Sequence, residues 1–196
     1  VYHGPEGIKE IAINTNAFAS KLADESRKLG YTVKSDLFFD TVSLKLPAGK
    51  SGLELKKLAL DNKLNFRYAD SQHVSIALDQ TTDQNKFQKI LDVLAEFAGS
   101  DSSQAICKPE DSILGTSKMA RKTAFLEHQI FNSFHSETEM MRYVKRLENK
   151  DISLTHSMIS LGSCTMKLNA VAELYPITWP EFANIHPFAP TDQTQG

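Results

Sequence analysis

The chain has 196 residues, of which 41% are hydrophobic and 23% are charged, and its formal net charge is −2. These values are typical of a globular protein with one large domain or two small ones. The mixture of both signs of charge excludes a strongly basic nucleic-acid surface, and the short apolar runs exclude a membrane span. We therefore expect neither nucleic acid nor a membrane among its partners.

The cysteine and histidine patterns argue against a disulfide scaffold and against a metal centre. Cys107 and Cys164 lie far apart in sequence, which fits neither a disulfide framework nor a metal knuckle. No two histidines have the His-x-x-x-His spacing, so no metal site is predicted. The first residues show no charged and apolar leader pattern, and we expect reduced thiols and a cytoplasmic location.

Residues 1–99 predict a compact α/β domain. Apolar residues recur at helical spacing after the GPEG turn, and Gly30 suits a helix C-terminus. The predicted elements are a helix to residue 29, strands at 31–33 and 41–46, a helix after Ser51, strands at 66–68 and 74–78, and a helix after Thr82 or Asp83. The order αββαββα favours a mostly antiparallel sheet that helices cover on one face.

The second half has a different composition. GSDSSQ at 99–104 is typical of a linker, so we assign 100–117 as a linker and 118–196 as helices followed by an extended, loop-rich arm. A helix is predicted over 118–131, and Ser136-x-x-Glu139 is a capping box that opens another helix to about residue 149. The prolines beyond residue 150 leave one short helical candidate at 170–174 and predict an arm that packs on another surface.

The densest group of small polar residues is SLGSCTMKLN at 160–169. Its hydroxyls and successive N–H groups suit an anion such as phosphate, to which Lys167 adds charge and Asn169 a directional amide. On composition alone the stretch fits better a polar turn that satisfies only its own backbone. Two further interpretations stay open: a Ser163–Lys167 acyl-enzyme pair, whose spacing differs from Ser-x-x-Lys, and a reactive Cys164 thiol.

Several stretches carry a resemblance to a known family. DISLTHSMISLGSCTMKLN at 151–169 and PITWPEFANIHPFAP at 176–190 closely resemble the P-protein family of the glycine cleavage system. VYHGPEGIKEIA at 1–12 and the run FHSETEMMRYVKRLENKD from Phe134 are similar to the same family. The similarity extends over the whole chain. Because the sequence opens on Val1 and stops without a closing element, we expect an internal part of a longer protein.

The resemblance implies an architecture and a reaction. The family has two related halves of fold type I, so residues 1–99 would be the small C-terminal domain of the first half and 118–196 the N-terminal part of the second. Its members are pyridoxal-phosphate-dependent glycine dehydrogenases, in which the cofactor is the electron sink while CO₂ leaves glycine. The implied partners are glycine, the lipoylated H-protein that accepts the aminomethyl group, and the remaining P-protein domains.

The resemblance also bears on the site residues. The family's Schiff-base lysine lies in a His-Lys dipeptide, which does not occur in this sequence. We therefore assign no catalytic residue and expect the chain alone to bind no cofactor and to be inactive. The residues assigned to contact the cofactor phosphate or the glycine carboxylate are Ser163, Thr165, Asn169, Cys164, Lys167 and His156.

A function of another class also fits the first half, namely a small α/β ligand-binding or regulatory module with an assembly arm. In either case the arm should expose several large apolar side chains. These are Trp179, Phe182, Ile185 and Phe188. Because exposed apolar area of this size favours self-association, we expect a homodimer.

Overall fold

A computed structural model of the chain describes residues 1–118, 120–150 and 171–195. The chain forms two compact units, Val1–Ser133 and Phe134–Gly196. The division at residues 99 and 117 that composition suggests stays a prediction. Within the described ranges, no helix is long and apolar enough to cross a bilayer.

The first unit begins with a long helix, α1, which spans Gly4–Lys28. A proline in its first turn needs no hydrogen-bond partner there, because the first N–H groups of a helix are unpaired in any case. Its buried face packs Ala19, Leu22 and Ala23 into the core. The helix ends before Gly30, whose φ of 87° lies in the left-handed region, as the sequence predicts.

Four short strands form one antiparallel sheet. They are β1 (Thr32–Val33), β2 (Thr41–Lys45), β3 (Arg67–Tyr68) and β4 (His73–Ala77). The strand order is β1-β2-β4-β3, and Val42 of β2 lies opposite Ile76 of β4. Alternate residues of the two central strands are buried in the core, and the residues between them are exposed or half-buried. The antiparallel sheet with one face against helices is therefore confirmed.

Two further helices complete this α/β layer. Helix α2 (Gly52–Asp61) starts at a capping box formed by Ser51 and Glu54, and α3 (Gln84–Ala98) starts at Asp83, whose carboxylate accepts the Lys86 N–H at 2.8 Å. Both starts follow the predicted caps, because side-chain acceptors satisfy N–H groups that the helix leaves unpaired. Phe87 of α3 is fully buried in the core. The predicted order αββαββα is confirmed.

Residues 99–107, which we call the strap, run back along α3. The Gln88 side-chain amide donates to the Ser103 carbonyl at 3.2 Å and its oxygen accepts the Ala105 N–H at 3.2 Å. One turn earlier, Gln84 donates to the Ala105 carbonyl and accepts the Cys107 N–H at 3.0 Å. Side chains four residues apart lie on one helix face. Two glutamines therefore hold a segment whose composition is that of a linker.

The helix predicted over 118–131 is wrong. Residues 120–128 form no helix, and only a short 3₁₀ turn follows at Gln129–Asn132. Leu126 has a φ of 51°, in the left-handed region that interrupts a helix. The His128 ring accepts the Ile130 N–H at 3.1 Å and thereby caps the 3₁₀ turn. Local side-chain hydrogen bonds have replaced the helical ones, although the residue types favour a helix.

The second unit contains α4 (Glu137–Glu148), which opens at the predicted capping box between Ser136 and Glu139. Two single-turn helices, α5 (Tyr175–Thr178) and α6 (Pro180–Ala183), follow a 3₁₀ turn at Val171–Leu174. Each begins with a proline in its first two positions, where proline is tolerated. The candidate at 170–174 corresponds to the 3₁₀ turn, whereas α5 and α6 were not predicted.

The described part of the second unit exposes most of its large apolar side chains. No residue of α4 is buried, and Met141 is 64% exposed. The four arm residues expected to be exposed are exposed: Trp179, Phe182, Ile185 and Phe188. This part of the prediction is confirmed. Whether the exposed side chains drive dimerisation stays a prediction.

Candidate functional site

The residues assigned to the cofactor from the sequence cannot be placed on this structure. Ser163, Thr165, Asn169, Cys164, Lys167 and His156 all lie outside the described residues. Their roles stay predictions.

The described part of the chain contains an open groove of about 840 Å³ in the first unit. One wall is the first half of α1, and the other is the irregular segment that follows the strap. Its volume is that of a site for a small ligand or for a few side chains of a packed segment. The lining residues are Pro5, Glu6, Lys9, Ala12 and Ile13 on α1, and Leu114, Gly115, Ala120–Glu127 and Asn132 opposite.

The α1 wall follows from helix geometry. Glu6, Lys9 and Ile13 are three or four residues apart and therefore lie on one face of the helix. The Lys9 ammonium lies 3.7 Å from the Glu6 carboxylate, and both side chains are well exposed. Such a surface ion pair contributes little to stability. The α1 wall therefore presents the apolar side chains of Ala12 and Ile13 next to the Glu6–Lys9 ion pair.

The opposite wall is held by polar contacts within itself. The Asn132 side-chain amide donates to the carbonyls of Leu126 and His128 at 3.1 and 3.2 Å. The Arg121 guanidinium lies 5.5 Å from the centre of the Phe125 ring, and it donates to the Thr123 hydroxyl at 3.1 Å. A cation above an aromatic face is attracted by the ring quadrupole. The segment thereby keeps a defined shape without helical hydrogen bonds.

Asn16 connects α1 to two distant segments at the base of this wall. It is fully buried, and its amide group donates to the carbonyls of Phe38 and Phe39 at 3.2 and 2.7 Å. Its oxygen accepts the Ser112 hydroxyl at 2.8 Å and the Ile113 N–H at 2.9 Å. A buried amide with all these partners fixes backbone segments to each other. Asn16 therefore positions the chain that leads into the groove.

The groove has no catalytic constellation among its described lining residues. The acids and bases that line it, Glu6, Lys9, Lys122 and Glu127, are all exposed. Catalytic acids and bases are usually found where burial or a close charge shifts their pKa values. The exposed lining favours packing or binding.

Cys107 lies at the end of the strap and is a free, half-buried thiol. Burial raises the pKa of the Cys107 thiol to about 11, and the Asp111 carboxylate adds to this effect, which Lys21 partly offsets. Because the thiolate is the reactive form, this raised pKa favours the protonated thiol near neutral pH and predicts low reactivity for Cys107. Within the described ranges no cluster of three or more His, Cys, Asp or Glu side chains could hold a metal ion.

Comparison with known proteins decides the family. Residues 1–94 match the family described as "Glycine cleavage system P-protein". The whole chain is 44% identical to the glycine dehydrogenase (decarboxylating) of Bacteroides thetaiotaomicron. The chain belongs to the glycine cleavage system P-protein family. The family resemblance seen in the sequence is thereby confirmed.

Other relatives of the P-protein family give the same result. The whole chain is 47% identical to the mitochondrial glycine dehydrogenase (decarboxylating) of Mus musculus and 44% identical to the enzyme of that name from a Nostoc species. It covers 19% and 20% of these two proteins, respectively. The chain thus spans about a fifth of the length of the P-proteins that it matches.

The sequence analysis missed the groove and the Asn16 junction. A signal for Asn16 was present, because this amide lies within the helical pattern among the apolar positions that become the buried face of α1. A polar residue at such a position needs hydrogen-bond partners. Nothing in the sequence identified those partners, since Ser112 is 96 residues away along the chain.

Proposed function

We propose that this chain is one segment of a glycine dehydrogenase (decarboxylating) that removes CO₂ from glycine and transfers the aminomethyl group to the lipoyl arm of H-protein. The observation that carries the proposal is similarity over all 196 residues of this chain, at 42–47% identity, to about a fifth of proteins of that name. The remaining domains of the longer protein would supply most of the active site. Glycine and lipoylated H-protein are accordingly the proposed substrate and partner.

The proposed cofactor is pyridoxal phosphate, which supplies an electron sink for decarboxylation when bound. We assign Ser163 and Thr165 to donate hydrogen bonds to its phosphate or to the glycine carboxylate, and Asn169 to orient one of these anions. His156, Cys164 and Lys167 are assigned to the same wall of the cleft. The support is chemical: hydroxyls and successive backbone N–H groups next to a lysine favour an anion.

The lining of the groove does not fit this cofactor. A lysine that holds pyridoxal phosphate must lose its proton, which burial or a cationic neighbour promotes. Lys9 and Lys122 are exposed instead, and Lys9 lies beside the carboxylate of Glu6. We therefore place the cofactor elsewhere and assign no step of the reaction to the groove.

A reconstitution experiment tests the proposed function. The 196-residue chain is mixed with pyridoxal phosphate and treated with borohydride, and we expect no covalent attachment of the cofactor to this chain. Addition of the remaining domains as separate polypeptides, with H-protein present, should yield glycine-dependent CO₂ exchange. Borohydride trapping on this chain alone, or glycine decarboxylation by it alone, would refute the assignment.

The site assignment needs a test of its own. In the reconstituted enzyme, Ser163→Ala and Thr165→Ala should weaken binding of pyridoxal phosphate, because each removes a hydroxyl donor to an anion. Ser160→Ala is the matched control, since it removes a hydroxyl from the same stretch but from a residue that is not assigned. Equal cofactor affinities for the three variants would contradict the assignment and leave the proposed reaction intact.

A further inference from the structure

The face of the sheet that points away from the core is distinct in its side chains. On β2 and β4 it carries Thr41, Ser43 and Lys45 beside His73, Ser75 and Ala77, and all six are exposed or half-buried. Helices cover only the opposite face in the described part of the first unit. Small side chains occupy the centre of this outer face, so a partner surface can approach the backbone closely.

The strand register places cations around these small residues. Arg67 of β3 lies opposite Ser75, and Ser75 lies opposite Ser43, whose hydroxyl is 2.8 Å from that of Ser75. On the other side of Ser43, the Lys34 N–H donates to the Ser43 carbonyl at 2.9 Å. Paired residues therefore form one row across the sheet, from Arg67 on β3 to Lys34 directly after β1. Lys45 lies in a neighbouring row, opposite Thr32 of β1.

The three cations of this face have no acidic partner within the described ranges. Lys34, Lys45 and Arg67 are exposed, and none forms an ion pair with a residue in the described part of the chain. No outward strand position carries a carboxylate. The nearby Asp70 is engaged with the His73 ring, 2.9 Å away. The face therefore has an excess of positive charge on a chain whose net charge is −2.

The dimensions of this face suit a polypeptide. Neighbouring strands lie about 4.8 Å apart, so the row from Arg67 to Lys34 spans roughly 14 Å. A helix with its side chains is about 10 Å wide and fits between the outer cations, above the serines. Three cations without an aromatic side chain among them are too few for a nucleic-acid surface, which needs many phosphate contacts or stacking platforms.

We propose that this outer sheet face, defined by Lys34, Ser43, Lys45, Arg67 and Ser75, is a docking surface for a protein partner that presents clustered carboxylates. Complementary charge would align the partner before contact, and the small serines would admit its backbone or side chains. The proposal does not depend on the reaction proposed above.

Titration of the 196-residue chain with an oligoglutamate peptide at low ionic strength tests this surface. The variant Lys34→Glu/Lys45→Glu/Arg67→Glu should lower the affinity by roughly tenfold or more, because three attractive contacts become repulsive. The matched control reverses three exposed lysines on α2 and α3, in Lys56→Glu/Lys57→Glu/Lys89→Glu, and should lower it far less. Circular dichroism verifies that both variants remain folded.

The outcomes separate the proposal from its rivals. A selective loss in the sheet variant, together with weakening of the wild-type complex by added salt, supports a carboxylate-binding face. An equal loss in both variants would show that net charge alone governs binding and would overturn the proposal. Absence of peptide binding, or tighter binding of a single-stranded oligonucleotide through the same three cations, would also overturn it.

Discussion

Replacement of Asn16 by alanine should loosen the first unit at the point where three segments meet. The substitution removes the donor to the Phe38 and Phe39 carbonyls and the acceptor for the Ser112 hydroxyl and the Ile113 N–H. Because Asn16 is fully buried, alanine leaves these groups without their partners in a partly buried part of the unit. The wall of the groove should therefore detach before the sheet unfolds.

The expected loss of stability follows from these four hydrogen bonds. A buried hydrogen bond contributes about 1 kcal/mol net, so the four together contribute roughly 4 kcal/mol. Alanine has a higher helix propensity than asparagine, which returns about 0.6 kcal/mol. We expect Asn16→Ala to destabilise the first unit by about 3 kcal/mol, a loss that lowers the melting temperature by roughly 10 °C.

Thermal unfolding and hydrogen exchange provide the assay. Asn14→Ala is the matched control, because Asn14 is exposed on the same helix; this change should alter stability by less than about 0.7 kcal/mol. In the Asn16→Ala variant the amide of Ile113 should exchange faster than amides of β4, since its acceptor has been removed. A melting temperature equal to that of the Asn14 control would refute the role assigned to Asn16.

A second substitution separates the donor role of Asn16 from its acceptor role. Asn16→Asp retains the acceptor for Ser112 and Ile113 but places a carboxylate oxygen beside two carbonyl oxygens. Burial beside two carbonyl oxygens raises the pKa of this carboxyl in the folded chain above its unfolded value of about 3.9. The loss of stability should therefore be smallest near pH 4, where the protonated carboxyl is again a donor, and should grow as the pH rises to neutral. A loss that does not depend on pH would contradict this geometry.

Three other predictions concern the thiol, a buried phenol and the arm. In a Cys164→Ser background, Cys107 should react with a disulfide reagent at neutral pH more slowly than free cysteine, since its pKa is raised to about 11; a faster reaction would contradict its burial. Burial raises the pKa of Tyr68 from 10 to about 12, so stability due to its neutral hydroxyl is complete below pH 10 and is lost as the pH rises towards 12. Tyr68→Phe should therefore make the melting temperature less sensitive to pH in that window. It should leave the melting temperature nearly unchanged at neutral pH, because the hydroxyl has no hydrogen-bond partner among the described residues; an unchanged alkaline slope would argue against it. The exposed Trp179 and Phe182 should support self-association of the chain in sedimentation, and Trp179→Ser/Phe182→Ser should shift it towards monomer; a monomeric wild-type chain would contradict this expectation.

The elements that the sequence predicts correctly are those with local signals. Ser51 and Asp83 begin helices through side-chain acceptors a few residues away, and Gly30 ends one through its own backbone conformation. The two central strands follow from alternation over five residues each. In all these cases the residues that determine the structure lie within one or two turns of each other.

The sequence says least where polar contacts between segments determine the backbone. GSDSSQ has the composition of a flexible linker, yet Gln84 and Gln88 bind the backbone between Ser103 and Cys107. The pattern over 118–131 favours a helix, whereas a left-handed Leu126 and a capping His128 interrupt it. Composition reports the average preference of a segment and not the partner that another segment offers.

The difference between local signals and contacts between segments also explains why the sequence predicted the family but not the groove. Family membership was visible in the sequence because long ordered strings of residues carry it, and comparison with full-length relatives confirms it. The groove was not visible, since its two walls are far apart in sequence and the Asn16 contacts to Ser112 and Ile113, which join α1 to the second wall, have no local signal. In this chain such a junction is formed by one amide on the buried face of α1. An experiment that asks what holds the wall of a site in place should therefore first replace buried amides that join two segments, as Asn16 does.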